Sequence, residues 1–493
     1  MKRFPSTIQF VLDGRITTLD FNRTGLSPTT TVLNYLRSLP GHKGVKEGCA
    51  EGDCGACTVV TATLDNRGTL QYESIDSCLV FLPMIHGKQI ITVENLAQNQ
   101  KLHPVQQALV DHDGSQCGYC TPGIVMSMFA LYRNYNQPDR RIITDALTGN
   151  LCRCTGYRPI VDAAYEVLQN KKTDHFDEDE ERITGLLNQI NNKSMPLEIE
   201  SGGQQYLKPF TIEQALELRK AHPDALIVGG STDVALLQTK KRVFLEKILD
   251  LSAVDELDFI VEDHHRLAIG SGTSLEVLHQ YTLERFSYLQ DMLKVFGSLQ
   301  IRNMATIGGN IATASPIGDL LPLLLVLNSE IRLMKKNGRR DLRLEDFITG
   351  YRQTDMEKDE IIAMITFRKP SKSEIIKSYK ISKRKDLDIS SASGCFRLEL
   401  DNNGIVKFIK CAFGGLAAMP KRAPETEDFL VGKAWNKVNV MDAAKILAGE
   451  FRPISDARST AEARKIMAGN LLIRFWEDSA KQFQPDNNIA HAE

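Results

Sequence analysis

Residues 48–57 read GCAEGDCGAC, and this stretch decides the fold of the first part of the chain. Its three glycines let the backbone turn tightly between the cysteines and aim N–H groups at the sulfur atoms. The chain has ten cysteines, and eight of them lie within the first 154 residues. Clustered thiols in a reducing compartment indicate metal or redox chemistry rather than disulfide bonds.

The spacing within the first thiol set is Cys49-x4-Cys54-x2-Cys57, and Cys78 follows after a gap of twenty residues. This is the plant-type ferredoxin spacing, in which four thiolates hold a [2Fe–2S] cluster. A zinc knuckle is the alternative, but zinc sites favour paired short spacings. The first set therefore predicts a [2Fe–2S] cluster.

A second thiol set combines Cys117-x2-Cys120 with Cys152-x-Cys154. Each pair precedes a predicted helix, whose free N–H groups favour an anionic ligand. Taken alone, these four thiols suit zinc as well as iron. The unusual Cys-x-Cys pair and the neighbouring ferredoxin set favour a second [2Fe–2S] cluster. The remaining two cysteines, Cys395 and Cys411, lie in apolar, strand-like surroundings, and we assign them no function.

Composition excludes several classes of function. With 493 residues, 42% hydrophobic and 25% charged, the chain predicts about three domains of ordinary globular protein. A net charge of −2 gives no reason to expect nucleic acid or an anionic membrane as partner. The N-terminus lacks the apolar stretch of a signal peptide, and the longest apolar run, Leu320 to Leu327, is too short to span a bilayer. We therefore expect a cytoplasmic protein.

The pattern of residues predicts several structural units. A strand, a turn and a second strand fit residues 8–19, and four helices fit residues 103–169. The acidic stretch 174–181 and the polar residues after it predict an extended, solvated linker, with an acidic surface helix as the alternative. From Thr211 the pattern alternates helix and strand. Further strands and two helices follow beyond about residue 385.

Two glycine-rich pieces beyond residue 220 are candidates for nucleotide loops. A strand at 225–228 runs into Gly-Gly-Ser-Thr-Asp at 229–233 and then a helix, which can cradle a phosphate. The second piece, residues 305–319, carries paired glycines together with Asn310 and Asp319, whose side chains can bond ribose or pyrophosphate. Neither piece is a P-loop or a G-x-G-x-x-G motif. On these residues alone, a structural turn fits each piece slightly better than a ligand site.

Residues 48–58, 116–123 and 151–157 resemble the cluster loops of the molybdenum hydroxylase family in sequence, order and separation. The resemblance implies that the cluster of the second set lies nearest a molybdenum centre held by a partner subunit. It also implies that Gln116 contacts the pterin cofactor of that partner; without the family, Gln116 reads as an ordinary surface amide.

Residues 227–234 and 300–310 resemble the flavin loops of the vanillyl-alcohol-oxidase-like domain in xanthine dehydrogenases. Residues 382–390 resemble the loop that flanks the flavin in these enzymes and are a candidate for controlling NAD access; the alternative is a charged surface hairpin. The resemblance implies FAD contacts from seventeen residues: Ile227, Val228, Gly229, Gly230, Ser231, Thr232, Asp233, Val234, Phe296, Thr306, Ile307, Gly308, Gly309, Asn310, Asp319, Ile362 and Lys380.

The resemblance extends from about residue 6 to about residue 476 and implies a multidomain α+β fold. Cluster and FAD modules fused in one chain are typical of the small subunit of bacterial xanthine dehydrogenases. The expected order is a β-grasp plant-type ferredoxin domain (1–92), a four-helix-bundle [2Fe–2S] domain (93–170), a linker (171–205), a vanillyl-alcohol-oxidase-like (PCMH-type) FAD-binding domain (206–378) and a C-terminal α+β domain like that of CO dehydrogenase flavoproteins (379–493).

The resemblance further implies an electron-transfer role. A molybdopterin-binding large subunit is expected to convert hypoxanthine and xanthine to urate in purine catabolism. The electrons then pass through the second cluster, the first cluster and FAD to NAD, within a dimer of heterodimers. No residue of this chain is expected to catalyse the hydroxylation. Three alternatives are an aldehyde or N-heterocycle substrate, a zinc-stabilised scaffold without redox chemistry, and a stand-alone NADH-dependent reductase.

Overall fold

The fold was determined as a computed structural model, which describes residues 6–480 apart from residues 66 and 192. The outer ends of the first and last predicted domains, residues 1–5 and 481–493, lie outside the described residues. Five sheets and their helices follow one another as four structural units. Among the described residues, no helix is both long enough and apolar enough to cross a membrane.

The first unit is a mixed five-stranded sheet with the strand order β2-β1-β5-β3-β4. β1 pairs antiparallel with β2 and parallel with β5, as expected for a β-grasp fold. The β1–β2 turn has positive φ at Asp13 and Gly14, which suits a two-residue hairpin. The strands are β1 Thr7–Leu12, β2 Arg15–Asp20, β3 Thr58–Leu64, β4 Leu70–Asp76 and β5 Gln89–Ile91, and the helices are α1 Phe21–Thr24 and α2 Val32–Ser38.

This sheet is buried on both faces. Phe10 and Val59 face a core shared with Tyr206 of the third unit, whereas Val60 faces a second core around Phe129. Because successive side chains of a strand point to opposite faces, neighbours in β3 reach different cores. The thiol loop between α2 and β3 therefore lies at the end of a strand that packs into both cores.

The second unit is helical and carries the second thiol set. Asp139 caps its third helix by accepting from the N–H of Ile142 at 2.8 Å. Its α4 is buried along most of its length against β3 and β4. The four helices are α3 Pro104–Asp111, α4 Thr121–Asn134, α5 Arg140–Leu147 and α6 Arg158–Gln169.

The acidic segment after residue 172 is helical, so the prediction of an extended linker is wrong. It forms α7 His175–Glu178 and α8 Glu180–Ile190. Ile183, Leu187 and Ile190 recur at helical spacing and are buried against the first two units. The charged residues made the segment read as solvated, but its apolar stripe holds it on the protein, which is closer to the surface-helix alternative.

Besides the two-stranded sheet β14-β15, the third unit contains two larger sheets. The smaller has the order β6-β7-β9-β8, and the larger is antiparallel with the order β10-β11-β16-β12-β13. Its strands are β6 Leu197–Ser201, β7 Gln204–Lys208, β8 Leu226–Val228, β9 Lys247–Asp250, β10 Ile260–Glu262, β11 Arg266–Gly270, β12 Glu330–Lys335, β13 Gly338–Arg343, β14 Ile348–Gly350, β15 Gln353–Thr354 and β16 Ile361–Arg368. Its helices are α9 Ile212–Ala221, α10 Val234–Thr239, α11 Leu275–Thr282, α12 Ser287–Leu293, α13 Leu299–Met304, α14 Ile307–Ala312, α15 Leu320–Val326 and α16 Leu344–Phe347.

The fourth unit is an antiparallel sheet, in the order β17-β18-β19-β20, packed against three helices. Cys395 and Cys411 are buried in its strands, in keeping with their interpretation as small apolar residues. Its strands are β17 Glu374–Ile381, β18 Ala392–Leu400, β19 Val406–Gly414 and β20 Lys421–Arg422, and its helices are α17 Pro424–Leu430, α18 Lys437–Glu450 and α19 Ala461–Ala480. The chain thus has the multidomain α+β fold that the sequence predicts.

Candidate cofactor sites

The thiols of the first set meet in two pairs. Cys57 Sγ and Cys78 Sγ lie 3.4 Å apart, and each residue is 2% exposed. Cys49 and Cys54 form the other pair, with their thiols in contact. A [2Fe–2S] cluster takes four thiolates, two on each iron. The arrangement of this set therefore fits such a cluster.

Backbone donors in the same loop favour the thiolate form of Cys49. The N–H groups of Glu51 and Asp53 donate to Cys49 Sγ at 3.4 and 3.3 Å. The contact with Cys54 and these donors outweigh burial and lower the pKa of Cys49 to about 5. The contact with Cys78, together with burial, raises the pKa of Cys57 well above its ordinary value. Metal ligation requires the thiolate, so the loop is prepared for a cationic centre at Cys49.

The second set also meets in pairs, but nearer the surface. Cys117 contacts Cys154, and Cys120 contacts Cys152. Cys117 and Cys154 are exposed, and Cys120 is the N-cap residue that precedes α4. The backbone N–H of Tyr119 and the contact with Cys154 lower the pKa of Cys117. The arrangement of this set fits a cluster that is exposed to solvent at one edge of the protein.

In both thiol sets the cysteine side chains contact each other in pairs. Within residues 6–480, apart from 66 and 192, no group of three or more His, Cys, Asp or Glu side chains could hold a metal ion. A structural zinc site gathers four ligands around one ion. A [2Fe–2S] cluster takes two thiolates on each iron, and two pairs of thiols match that arrangement.

The two thiol loops touch each other directly. The N–H of Leu151, next to Cys152, donates to the carbonyl oxygen of Cys54 at 3.0 Å. Asn150 Nδ2 donates to the carbonyl oxygen of Gly55 at 3.1 Å. Gly55 has a φ of +66°, and a Cβ there would lie 2.3 Å from the carbonyl oxygen of Gly149. Only glycine allows this approach.

A cavity of about 1350 Å³ lies between the first, third and fourth units. All of the predicted FAD residues line it except Val228 and Ile307, which are buried in the protein core. The candidate NAD-access loop also contributes, through residues 383–384 and 387–389. The predicted flavin residues, spread over more than 150 positions of sequence, thus converge on one space.

The glycines of the two predicted flavin loops bring the loops into contact. A Cβ on Gly230 would lie 1.6 Å from the carbonyl oxygen of Met304, and one on Gly229 would lie 2.8 Å from Thr306 Oγ1. Ser231 Oγ and Asn310 Oδ1 are buried, line the cavity and have no hydrogen-bond partner among the described residues. Buried polar atoms without partners are costly, so a polar ligand such as a dinucleotide fits this cradle.

Lys380 and Asp319 fasten the fourth unit to the cavity wall. Lys380 Nζ donates to Asp319 Oδ2 at 2.7 Å and to the carbonyl oxygen of Val295 at 3.0 Å. Ser390 Oγ donates to the other carboxylate oxygen of Asp319. Both members of the ion pair are nearly inaccessible to solvent. These residues therefore fix the position of β17 relative to the third unit.

Helix α13 joins the first three units, which sequence reasoning did not foresee. Gln300 Nε2 donates to Ser127 Oγ and to Asn150 Oδ1, at 2.9 and 3.0 Å. Arg302 is fully buried and pairs with Asp145 at 2.7 Å and with Glu276 at 2.6 Å. The polar residues Gln300 and Arg302 of this short helix are the signal in the sequence, but their partners in the second unit lie about 150 positions away along the chain.

Three family models match the chain in succession. They are the [2Fe-2S] binding domain (residues 92–165), the FAD binding domain in molybdopterin dehydrogenase (residues 199–369) and the CO dehydrogenase flavoprotein C-terminal domain (residues 377–479). These models begin at residue 92, so the first thiol set is covered by similarity to whole proteins instead.

Curated relatives include xanthine dehydrogenases from fungi and plants. That of Emericella nidulans is 32% identical over 98% of this chain and 39% of its own length. Xanthine dehydrogenase 1 of Arabidopsis thaliana is 32% identical over 90% of this chain and 38% of its own length. The chain thus spans less than two fifths of these relatives.

Among solved structures, a chain of the cyanide-inactivated Cu,Mo-CO dehydrogenase is similar over 56% of this chain and 97% of its own length. The TM-score is 0.52 and the identity is 26%. Together with the paired thiols and the glycine cradle, these similarities support one assignment. The chain is a small-subunit-like protein of the molybdenum hydroxylase family, with [2Fe–2S]-binding and FAD-binding domains.

Proposed function

We propose that the chain is the electron-transfer subunit of a xanthine dehydrogenase. Electrons from a molybdenum centre in a partner subunit would pass through the second and then the first cluster to FAD and on to NAD. The observation that carries this proposal is the continuous order of the sites. The loop of the more exposed second set contacts the loop of the more buried first set, and the first loop lines the flavin cavity.

The surface around the second set supports the partner. Cys117, Cys154 and the neighbouring Gln116 and Tyr119 are exposed. A cluster held there is accessible to a molybdopterin-binding large subunit, and Gln116 would contact the pterin. We expect two such heterodimers to form a heterotetramer.

The contact between the two thiol loops supports transfer inside the chain. The hydrogen bond from Leu151 to Cys54 lies one residue from Cys152 and ends on a residue of the first set. Cys49, Cys54, Cys57 and Cys78 would hold the first cluster; Cys117, Cys120, Cys152 and Cys154 would hold the second. Eight thiols kept reduced suit the cytoplasm, where we expect the protein to act.

The cavity supports FAD as the site where electrons are collected. Its glycine loops and the unpartnered Ser231 and Asn310 would hold the dinucleotide, and Lys380 and Asp319 would fix the wall beside it. FAD supplies the conversion between one-electron and two-electron chemistry that a hydride acceptor such as NAD requires. Hydroxylation of hypoxanthine and xanthine would occur in the partner, so the substrate assignment rests on the xanthine dehydrogenase relatives.

The test uses the complete enzyme reconstituted with its molybdenum subunit. Cys117→Ser or Cys152→Ser should abolish NAD reduction by xanthine while NADH still bleaches the flavin. Cys395→Ala, a buried cysteine outside both sets, serves as the matched control and should keep both activities. Loss of both activities in a variant that folds and retains FAD would contradict the proposed order of the sites.

A further inference from the structure

The loop of the first thiol set has an acidic tip between Cys49 and Cys54, defined as Glu51, Gly52 and Asp53. The N–H groups of Glu51 and Asp53 donate to Cys49 Sγ, and all three residues line the flavin cavity. Gly52 has a φ of +76°, which turns the tip. Two carboxylates therefore lie between the first thiol set and the cavity.

Lys240, at the end of α10, contacts this tip from the third unit. Its Nζ donates to the carbonyl oxygen of Cys49 at 3.1 Å and pairs with Glu51 Oε2 at 3.1 Å. The same helix begins at the first flavin loop, at Val234. A single side chain thus binds a residue of the thiol set and one of the two carboxylates of the tip.

Arg384 contacts the tip from the fourth unit. Its Nη2 lies 3.5 Å from Asp53 Oδ1 and also pairs with Asp388. Arg384 belongs to the loop that lines the cavity on the side of β17. Each carboxylate of the tip therefore lies beside a cation, Lys240 for Glu51 and Arg384 for Asp53, although Arg384 is shared with Asp388.

The charges matter because a thiolate-ligated iron–sulfur cluster is anionic and gains one more negative charge on reduction. Nearby carboxylates disfavour that electron, and nearby cations favour it. Hydrogen bonds, net charge and exposure to solvent all set the potential of such a cluster. Lys240 and Arg384 offset the negative charges of Glu51 and Asp53, whose backbone N–H groups donate to Cys49.

We propose that Lys240 and Arg384 are positioning residues that set the reduction potential of the first cluster by balancing the acidic tip. The inference rests on the proposed function, since it requires a cluster on the first thiol set. In the balanced state the tip can lie against the flavin cavity without making the cluster harder to reduce.

The test is an EPR-monitored redox titration of the purified chain. Lys240→Gln removes one positive charge but keeps a donor for the Cys49 carbonyl, so the first cluster should become about threefold to tenfold harder to reduce. Glu51→Gln should shift the equilibrium in the opposite direction, and the double variant should return close to the wild-type value. A tenfold change in a one-electron equilibrium is about 59 mV.

Matched controls separate charge balance from a structural role. Lys241 is the exposed neighbouring lysine, and Lys241→Gln should shift the potential much less than Lys240→Gln. The potential of the second cluster should stay unchanged in every variant. If Lys240→Gln does not lower the potential beyond this control, or if Glu51→Gln lowers it too, the inference is wrong.

Arg384→Gln and Asp53→Asn repeat the test on the second ion pair, should a variant of the first pair fail to fold. They should again shift the potential in opposite directions. The wild-type EPR spectrum distinguishes a failure of the proposed function from a failure of this inference alone. Absence of two [2Fe–2S] signals there would overturn the proposed function, whereas two signals with unmoved potentials would overturn this inference alone.

Discussion

The two thiol sets carry similar chemistry in opposite surroundings. Around the first set, a Cβ on Gly52 would lie 2.6 Å from Leu79, and one on Gly55 would lie 2.3 Å from the carbonyl oxygen of Gly149. Around the second set, Gly118 and Gly156 have nothing within 4 Å of such a Cβ. Cys57 and Cys78 of the first set are thus enclosed between structural units, whereas Cys117 and Cys154 of the second set lie open at an edge.

This difference indicates what each set faces. An enclosed set is held at a fixed position relative to the flavin cavity, which its own loop lines. An open set has room for a partner to approach. The same ligand chemistry can therefore serve an internal contact and an external one, depending on how tightly the neighbouring units close around it.

The largest effect should come from a methyl group added to the enclosed loop, at Gly55. Gly55→Ala places a Cβ against backbone at a residue with positive φ, so the contact between the thiol loops must open. We expect a loss of about 4 kcal/mol or more in the free energy of unfolding, together with loss of the first cluster. Urea unfolding and iron analysis measure both.

Gly118→Ala is the matched variant in the open set. It also has a positive φ, +81°, but meets no neighbouring atom, so only the backbone strain of about 1 kcal/mol remains. Equal losses in the two variants would contradict the difference in enclosure.

The next effect concerns the buried cation at the junction of the units. Arg302→Met leaves Glu276 and Asp145 without their partner. Breaking a buried ion pair in this way costs about 3–5 kcal/mol. Arg158→Met, whose side chain is 92% exposed and lies 3.8 Å from Asp162 near the second set, should cost about 0.5 kcal/mol or less. Denaturant unfolding compares the two variants; a small loss for Arg302→Met would contradict the role of this junction.

The smallest effect concerns how fast each cluster is lost. After the isolated chain is exposed to an oxidant with a chelator and then re-reduced with dithionite, the EPR signal of the second cluster should be lost about tenfold faster than that of the first, because Cys117 and Cys154 are exposed and Cys57 and Cys78 are buried. Binding of the large subunit should slow this loss. Faster loss of the first cluster would contradict the comparison.

Each thiol pair motif and each glycine loop can be predicted from the sequence because its own residues lie close together in the chain. The spacing of Cys49, Cys54 and Cys57 and the glycines at 229–230 follow from local backbone requirements. The sequence does not predict which thiols pair, nor that Glu51 and Asp53 line the cavity. Both depend on how separate structural units pack, and short sequence spacings carry no information about that packing.

The contacts that join the units were missed for the same reason. Gln300 meets Asn150 across 150 positions of sequence, and Lys240 meets Cys49 across 191. The acidic segment after residue 172 was wrongly predicted as an extended linker because charged residues dominate its composition. Three apolar residues at helical spacing nevertheless hold α8 on the protein. A search for that spacing within charged segments would have found the helix.

The most direct test of the account is metal, sulfide and flavin analysis of the purified chain with an anaerobic EPR titration, using NADH and then dithionite. The account predicts iron and sulfide for two [2Fe–2S] clusters, two distinct EPR signals on full reduction and a flavin that NADH bleaches. Zinc without iron, or a folded chain that does not retain added FAD, would contradict it.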